Sequence, residues 1–137
     1  MFLKVLSMNP KKIWANFTVG DLDRTTKFYT ALGFKPNGRS EDLTSFMIGE
    51  NNFIIHFFLE ESLKSNIKIE LVDAQIANEI LFSLSADSKA EVDHWEREVQ
   101  SAGGTITSKA EEFGKGYYGL EFADPDGHKF NVFYMIT

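Results

Sequence analysis

The 137-residue chain has no cysteine. Disulfides, thiolate metal sites and cysteine nucleophiles are therefore excluded. Positive charge is never concentrated: no Lys/Arg cluster exceeds the pair Lys11-Lys12, and the formal net charge is −6. Nucleic-acid backbones need dense positive charge, so no nucleic acid is expected as a partner. Long apolar runs are also missing. Met1 to Ser7 is a short apolar stretch without a cleavage-site pattern and without the length of a membrane span. The expectation is a cytoplasmic protein with no membrane partner. Adjacent carboxylates such as Glu60-Glu61 fall on an expected surface turn, which gives no support to a paired-carboxylate acid/base site.

What is present describes a folded domain. Hydrophobic residues make up 43% and charged residues 25%, too apolar for a disordered chain. The length suits one domain, 1–137, or two small halves sharing a sheet. Phe occurs 13 times, so the core and any cavity should be rich in rings. Such a lining favours apolar or planar ligands, although packing alone selects the same residues. The acidic balance tolerates a cationic ligand.

Ile13 to Val19 alternates as a strand with one face on a hydrophobic layer: Ile13, Ala15, Phe17 and Val19 on that face, Trp14, Asn16 and Thr18 on the other. Asp21 or Asp23 caps a helix carrying Leu22, Thr25, Phe28, Tyr29 and Leu32 at helical spacing, and Gly33 ends it. A short strand begins at Phe34 to Pro36. Thr44 to Ile48 and Phe53 to Leu59 form a hairpin around Gly49 to Asn52. Glu60 to Asn66 reads as one or two helical turns, and Ile67 to Asn78 as a bridge.

The order then repeats. Glu79 to Ala86 reads as a strand. Asp87 or Ser88 caps a helix with the stripe Val92, Trp95, Val99 and Ala102, stopped by Gly103-Gly104. Thr105 to Thr107 reads as a short strand and Ser108 to Lys115 as a charged loop. Gly116 to Ala123 and Lys129 to Ile136 are strands joined by the turn Asp124-Pro125-Asp126-Gly127. Phe17-Thr18-Val19 matches Leu84-Ser85-Ala86, and the two hairpin loops match so that His56 pairs with Asn131. The fold class is therefore α+β, with two tandem βαβββ modules, about 11–66 and 79–136.

Val19-Gly20-Asp21-Leu22-Asp23-Arg24, then Phe28-Tyr29 and Leu32-Gly33-Phe34, resembles the first-module signature of the vicinal oxygen chelate superfamily, which includes glyoxalases, bleomycin resistance proteins and extradiol dioxygenases. Asp124-Pro125-Asp126-Gly127-His128 before an alternating strand resembles its closing signature. The resemblance spans almost the whole chain. It implies cupped mixed sheets around a U-shaped cavity, a small-molecule ligand, and a homodimer.

The resemblance also implies where a divalent metal would be held: the first and last strand of each module. Those positions read Trp14, His56, Leu81 and Asn131. Trp and Leu cannot ligate a cation, Asn131 offers a neutral oxygen, and only His56 is a good ligand. Moving two residues along gives Asn16, His56, Ser83 and Asn131, still without a carboxylate. A catalytic site of this kind needs about three protein ligands and an open position. No metal and no cofactor is expected.

The expected ligand-binding lining is Trp14, Asn16, His56, Phe58, Leu81, Ser83, Asn131 and Phe133. Each residue also has a plainer reading. His56 is a ligand partner or a core histidine satisfied by backbone. Trp14 stacks on a planar ligand or plugs the cavity. Asn16 and Asn131 orient a ligand or satisfy each other or a buried water. Glu111 to Tyr118 is a lid, with Tyr117 or Tyr118 reaching the ligand, or an ordinary hairpin approach. His128 closes a turn, and His94 is a surface residue. The leading expectation is a metal-independent small-molecule binding protein. One alternative is a metal-dependent lyase, isomerase or dioxygenase using His56. Another is a surface interaction protein with a filled cavity.

Overall fold

Alternation decides the first strand, β1 (Trp14–Val19), in the computed structural model, which describes residues 8–136. The stretch Met1 to Ser7 lies outside the described residues. Ala15, Phe17 and Val19 turn to the core, while Trp14 and Asn16 stay exposed. Helix α1 (Leu22–Ala31) starts where the Asp21 side chain accepts from the Arg24 backbone N–H, leaving one fewer orphan donor in its first turn. Its buried face is Leu22, Thr25, Phe28 and Tyr29. Gly33, at φ 87°, takes the left-handed conformation that ends the helix. β2 (Lys35–Arg39), β3 (Leu43–Ile48), β4 (Phe53–Leu59) and the short α2 (Glu60–Lys64) complete module one.

Module two repeats the order as β5 (Leu81–Ser85), α3 (Lys89–Ala102), β6 (Thr105–Phe113), β7 (Tyr117–Ala123) and β8 (Lys129–Met135). Ser88, rather than Asp87, is the cap, and Glu91 reaches back to the Asp87 N–H. Two expectations need correction here. The strand expected from Glu79 starts at Leu81, and the charged loop expected from Ser108 is mostly strand. β6 is an edge strand, so charged side chains can leave its solvent side without penalty. Its alternation is also broken by register shifts between Ile106 and Ser108 and between Ser108 and Glu111, which hide the strand pattern.

The two four-stranded sheets have matching orders, β1-β4-β3-β2 and β5-β8-β7-β6, each with one parallel pair. One apolar core runs through both modules, and rings meet across the boundary: Phe17 with Phe82 at 5.6 Å and Tyr29 with Phe130 at 6.1 Å. α1 packs on β3 and β4 and α3 on β6, β7 and β8, and these two helices touch each other, while α2 sits against β4 and β1. The side of the sheets opposite α1 and α3 is open. Among the described residues no helix is long and apolar enough to cross a membrane.

Candidate functional site

Strand register places the candidate residues on the open face. His56 lies beside Asn16 on β1 and Ser45 on β3. Asn131 lies beside Ser83 on β5 and Glu121 on β7, and Glu121 beside Ser108 on β6. A polar row therefore crosses each sheet, with Ser45 also bonded by the Asn37 side-chain amide at 3.0 Å. Apolar residues one pleat away flank the rows: Trp14, Phe58, Leu81 and Phe133. All eight expected lining residues point away from the core, because each occupies the alternate parity of its strand.

The face is accessible except at Ser45, which is 3% exposed. Trp14 is 46% exposed and Leu81 50%, so Trp14 does not plug a cavity in the chain taken alone. His56 is half-buried, with its ring 5.8 Å from Phe58 and edge-on to it. Burial holds its imidazole below the ordinary value, so His56 is neutral at neutral pH, fit to donate at one nitrogen and accept at the other.

Sequence reasoning missed the carboxylates here. Glu121 stands where module one has Ser45, and Glu111 is across from Gly119 on the edge strand. Ser108, Glu111, Phe113, Gly119, Glu121 and Asn131 line a hollow of about 200 Å³. The alternation of β7 was the available signal: Tyr117, Gly119 and Glu121 share the parity opposite Leu120 and Phe122. Gly119 leaves room for a ring, since a Cβ there would sit 2.8 Å from Phe113 Cε1. Phe113 in turn stacks on Tyr117 at 5.5 Å, and Tyr117 meets Phe133 edge-on at 6.1 Å.

The expected lid is a paired hairpin turning at Gly114 to Gly116. Tyr118 does not reach the open face. Its hydroxyl donates to Asp93 of α3 at 2.6 Å, and that bond pushes its pKa up to about 12. His94 is exposed beside Glu98. His128 is buried, its Nδ1 2.8 Å from Asp124 Oδ2 and its ring 4.2 Å from Phe17. A larger hollow of about 610 Å³ lies elsewhere, between α2, residues 71–75 and the Pro125-Asp126 turn. It contains none of the eight expected lining residues, and the smaller hollow contains only Asn131.

The metal test is one of donor chemistry. His56 faces Asn16 rather than Trp14, and Asn131 faces Ser83 rather than Leu81, so the polar set is the relevant one. It offers one imidazole, the Glu121 carboxylate and otherwise neutral oxygens. Among the described residues no group of three His, Cys, Asp or Glu gathers to hold an ion. The set falls short of the usual three-ligand requirement.

The family model for the Glyoxalase/Bleomycin resistance protein/Dioxygenase superfamily matches residues 13–132. No curated protein matches the chain. Among solved structures, a hypothetical protein from S. aureus is 29% identical, with a TM-score of 0.80 over 92% of this chain and 94% of that one. A glyoxalase-related enzyme from Fulvimarina pelagi is 19% identical, with a TM-score of 0.80 over 91% and 88%. A lactoylglutathione lyase from Agrobacterium tumefaciens is 21% identical, with a TM-score of 0.67 over 91% and 94%. The last two likenesses are of fold.

Proposed function

Since the chain belongs to the glyoxalase/bleomycin resistance protein/dioxygenase superfamily, we propose that it binds a small organic molecule on its open face without a catalytic metal. The observation that carries this reading is the pair of polar rows, Asn16-His56-Ser45 and Ser83-Asn131-Glu121, flanked by Trp14, Phe58 and Phe133. Isolated polar groups fix orientation and aromatic walls supply contact area, which is the usual make-up of a ligand site. The favoured ligand is planar and carries both donors and acceptors, to match the amides of Asn16 and Asn131 and a neutral His56. A homodimer would cover the exposed apolar ends of β1 and β5, where Ile13, Trp14, Ile80 and Leu81 lie.

The competing reading, a metal-dependent lyase, isomerase or dioxygenase built on His56, draws support from Glu121, a carboxylate beside Asn131. The filled-cavity reading is opposed by the exposure of Trp14.

Thermal-shift screening against metabolites and antibiotics tests the proposal. A ligand present at 100 times its Kd stabilises by about 2.7 kcal/mol, which is easily read as a rise in Tm. The expected rise is lost in His56→Ala and Asn131→Ala. Stoichiometric zinc, nickel, iron or manganese in protein purified without chelators, lost on His56→Ala, would overturn the metal-free reading in favour of the enzyme.

A further inference from the structure

We propose that the turn closing module two, Asp124-Pro125-Asp126-Gly127-His128, is a clasp that sets the angle between the modules and with it the shape of the open face. The contact between modules is largely aromatic: Phe17 with Phe82, Phe28 with Phe122, Tyr29 with Phe130 and Phe34 with Trp95. Ring packing holds surfaces together, but it is weakly directional, and cores lose uniqueness before they lose stability. The two sheets share no ladder. Direction has to come from hydrogen bonds.

Among the described residues, every hydrogen bond joining module one to module two ends on this turn. Tyr29 donates its hydroxyl to Asp124 Oδ2 at 2.6 Å. The Gly20 N–H and the Arg24 guanidinium both donate to Asp126 Oδ1, at 2.9 and 2.8 Å. The Asp124 acceptor is held from several sides. Asp124 is 3% exposed and its carboxylate is fixed by the backbone N–H groups of Asp126 and His128 and by the His128 imidazole, at 3.0, 2.9 and 2.8 Å. His128 in turn carries the Phe17 ring of module one on its face. The connecting segment is tied to the same turn, with Gln75 Nε2 donating to the Pro125 carbonyl at 2.9 Å and Lys129 Nζ to the Ala74 carbonyl at 3.1 Å. A buried, fully partnered carboxylate is a poor source of net stability and a good source of specificity. Tyr29, Arg24, Asp124 and Asp126 are thus positioning residues, acting on the open face through the module angle. This holds whether or not the face binds a ligand.

The absence of cysteine makes the test direct. Spin labels at Lys35→Cys and Lys109→Cys, exposed positions on the outer strand of each sheet, report the module angle by electron–electron dipolar distance measurement. Labelled chain is diluted into unlabelled chain so that only intrachain distances count. A pair within module one, Lys27→Cys and Lys35→Cys, is the control. In Tyr29→Phe combined with Arg24→Ala, the cross-module distribution is expected to broaden roughly two-fold or split, as a second module packing becomes populated, while the control stays unchanged. Arg24→Ala alone, at a side chain 47% exposed, gives a smaller broadening and decides the matter if the double variant does not fold. An unchanged cross-module distribution in the folded variants, or equal broadening in the control pair, overturns the proposal.

Discussion

At equivalent register the strand side opposite the core residues reads Leu43, Ser45 and Met47 with His56 and Phe58 in module one, and Gly119, Glu121 and Ala123 with Asn131 and Phe133 in module two, Ser45 and Ala123 being buried there. The core side of the same strands differs far less in character: Phe46 and Phe122, Ile55 and Phe130, Phe57 and Val132 are all buried and apolar. The shared fold constrains the side that packs and leaves the other side free. Module one keeps the imidazole and module two acquires the carboxylates, so the two halves of the proposed site are chemically unlike. The hairpin turns diverge in the same way. Asn52 N–H donates to the Gly49 carbonyl at 3.2 Å and Gly127 N–H to that of Asp124 at 3.0 Å, with Asn52 at φ 54° and Gly127 at φ 96°. One backbone turn serves both modules, but the first ends in solvent and the second is built into the module junction.

The largest test of that contrast is Asp124→Ala. It strands the Tyr29 hydroxyl, the His128 imidazole and two backbone N–H groups, all but one of them within a few residues of the turn. Each buried donor left unpaired costs about 1–3 kcal/mol, so a total loss of about 3 kcal/mol or more is expected in urea unfolding. Gly49→Ala, at the equivalent position of module one, lacks any such network and should cost only the strain of a positive φ, about 1 kcal/mol. Similar losses at the two positions would mean that Asp124 is no more than a turn residue.

Exchanging the fourth turn residues gives a smaller effect. A Cβ at Gly127 would sit 2.7 Å from the Ala74 carbonyl carbon and 2.7 Å from the Gln75 nitrogen, so Gly127→Asn must displace the connecting segment. Its cost should be about 2 kcal/mol. The reverse exchange, Asn52→Gly, relieves a positive φ at an exposed loop and should lie within about 1 kcal/mol of neutral. Thermal unfolding of the two variants checks the asymmetry, and equal effects would dissolve it.

How much of this was legible in the sequence follows from the range of the interactions involved. The cap at Asp21, the stop at Gly103 and the alternation of β1 are local signals, and each is found where the spacing puts it, except that Ile13, expected on the packed face, precedes the strand and is 70% exposed. Parity along the strands sufficed to place Trp14, Asn16, His56, Phe58, Leu81, Ser83, Asn131 and Phe133 on one side. It failed at β6, where an edge strand with shifted register has no periodic apolar residue to announce it. Glu121 was readable from parity but sits in a strand known by its core residues. The clasp was not readable. Tyr29 shows itself as one member of a helical stripe and Asp124 as a turn former, and nothing local tells that residues 95 positions apart share a hydrogen bond.

The helix caps supply the last and smallest contrast, because the two modules solve the same problem with different chemistry. α1 is capped by a carboxylate and α3 by a hydroxyl, each accepting from the backbone N–H three residues on, at 3.0 Å in both cases. The Arg24 N–H holds the Asp21 carboxyl below its ordinary value of 3.8. A carboxyl whose pKa is depressed by folding contributes stability that is complete above its unfolded value and disappears as pH falls through the folded one. Acidification below 3.8 should therefore loosen the first turn of α1, with the Arg24 amide proton resonance moving toward its unbonded position. Ser88 does not titrate in this range, so the hydroxyl cap on the Glu91 amide persists. Asp21→Ser, which gives module one the cap of module two, should abolish the acid-dependent shift at Arg24. If the shift survives that exchange, it arises from groups other than the cap, and the two helix starts do not differ in the way their residues imply.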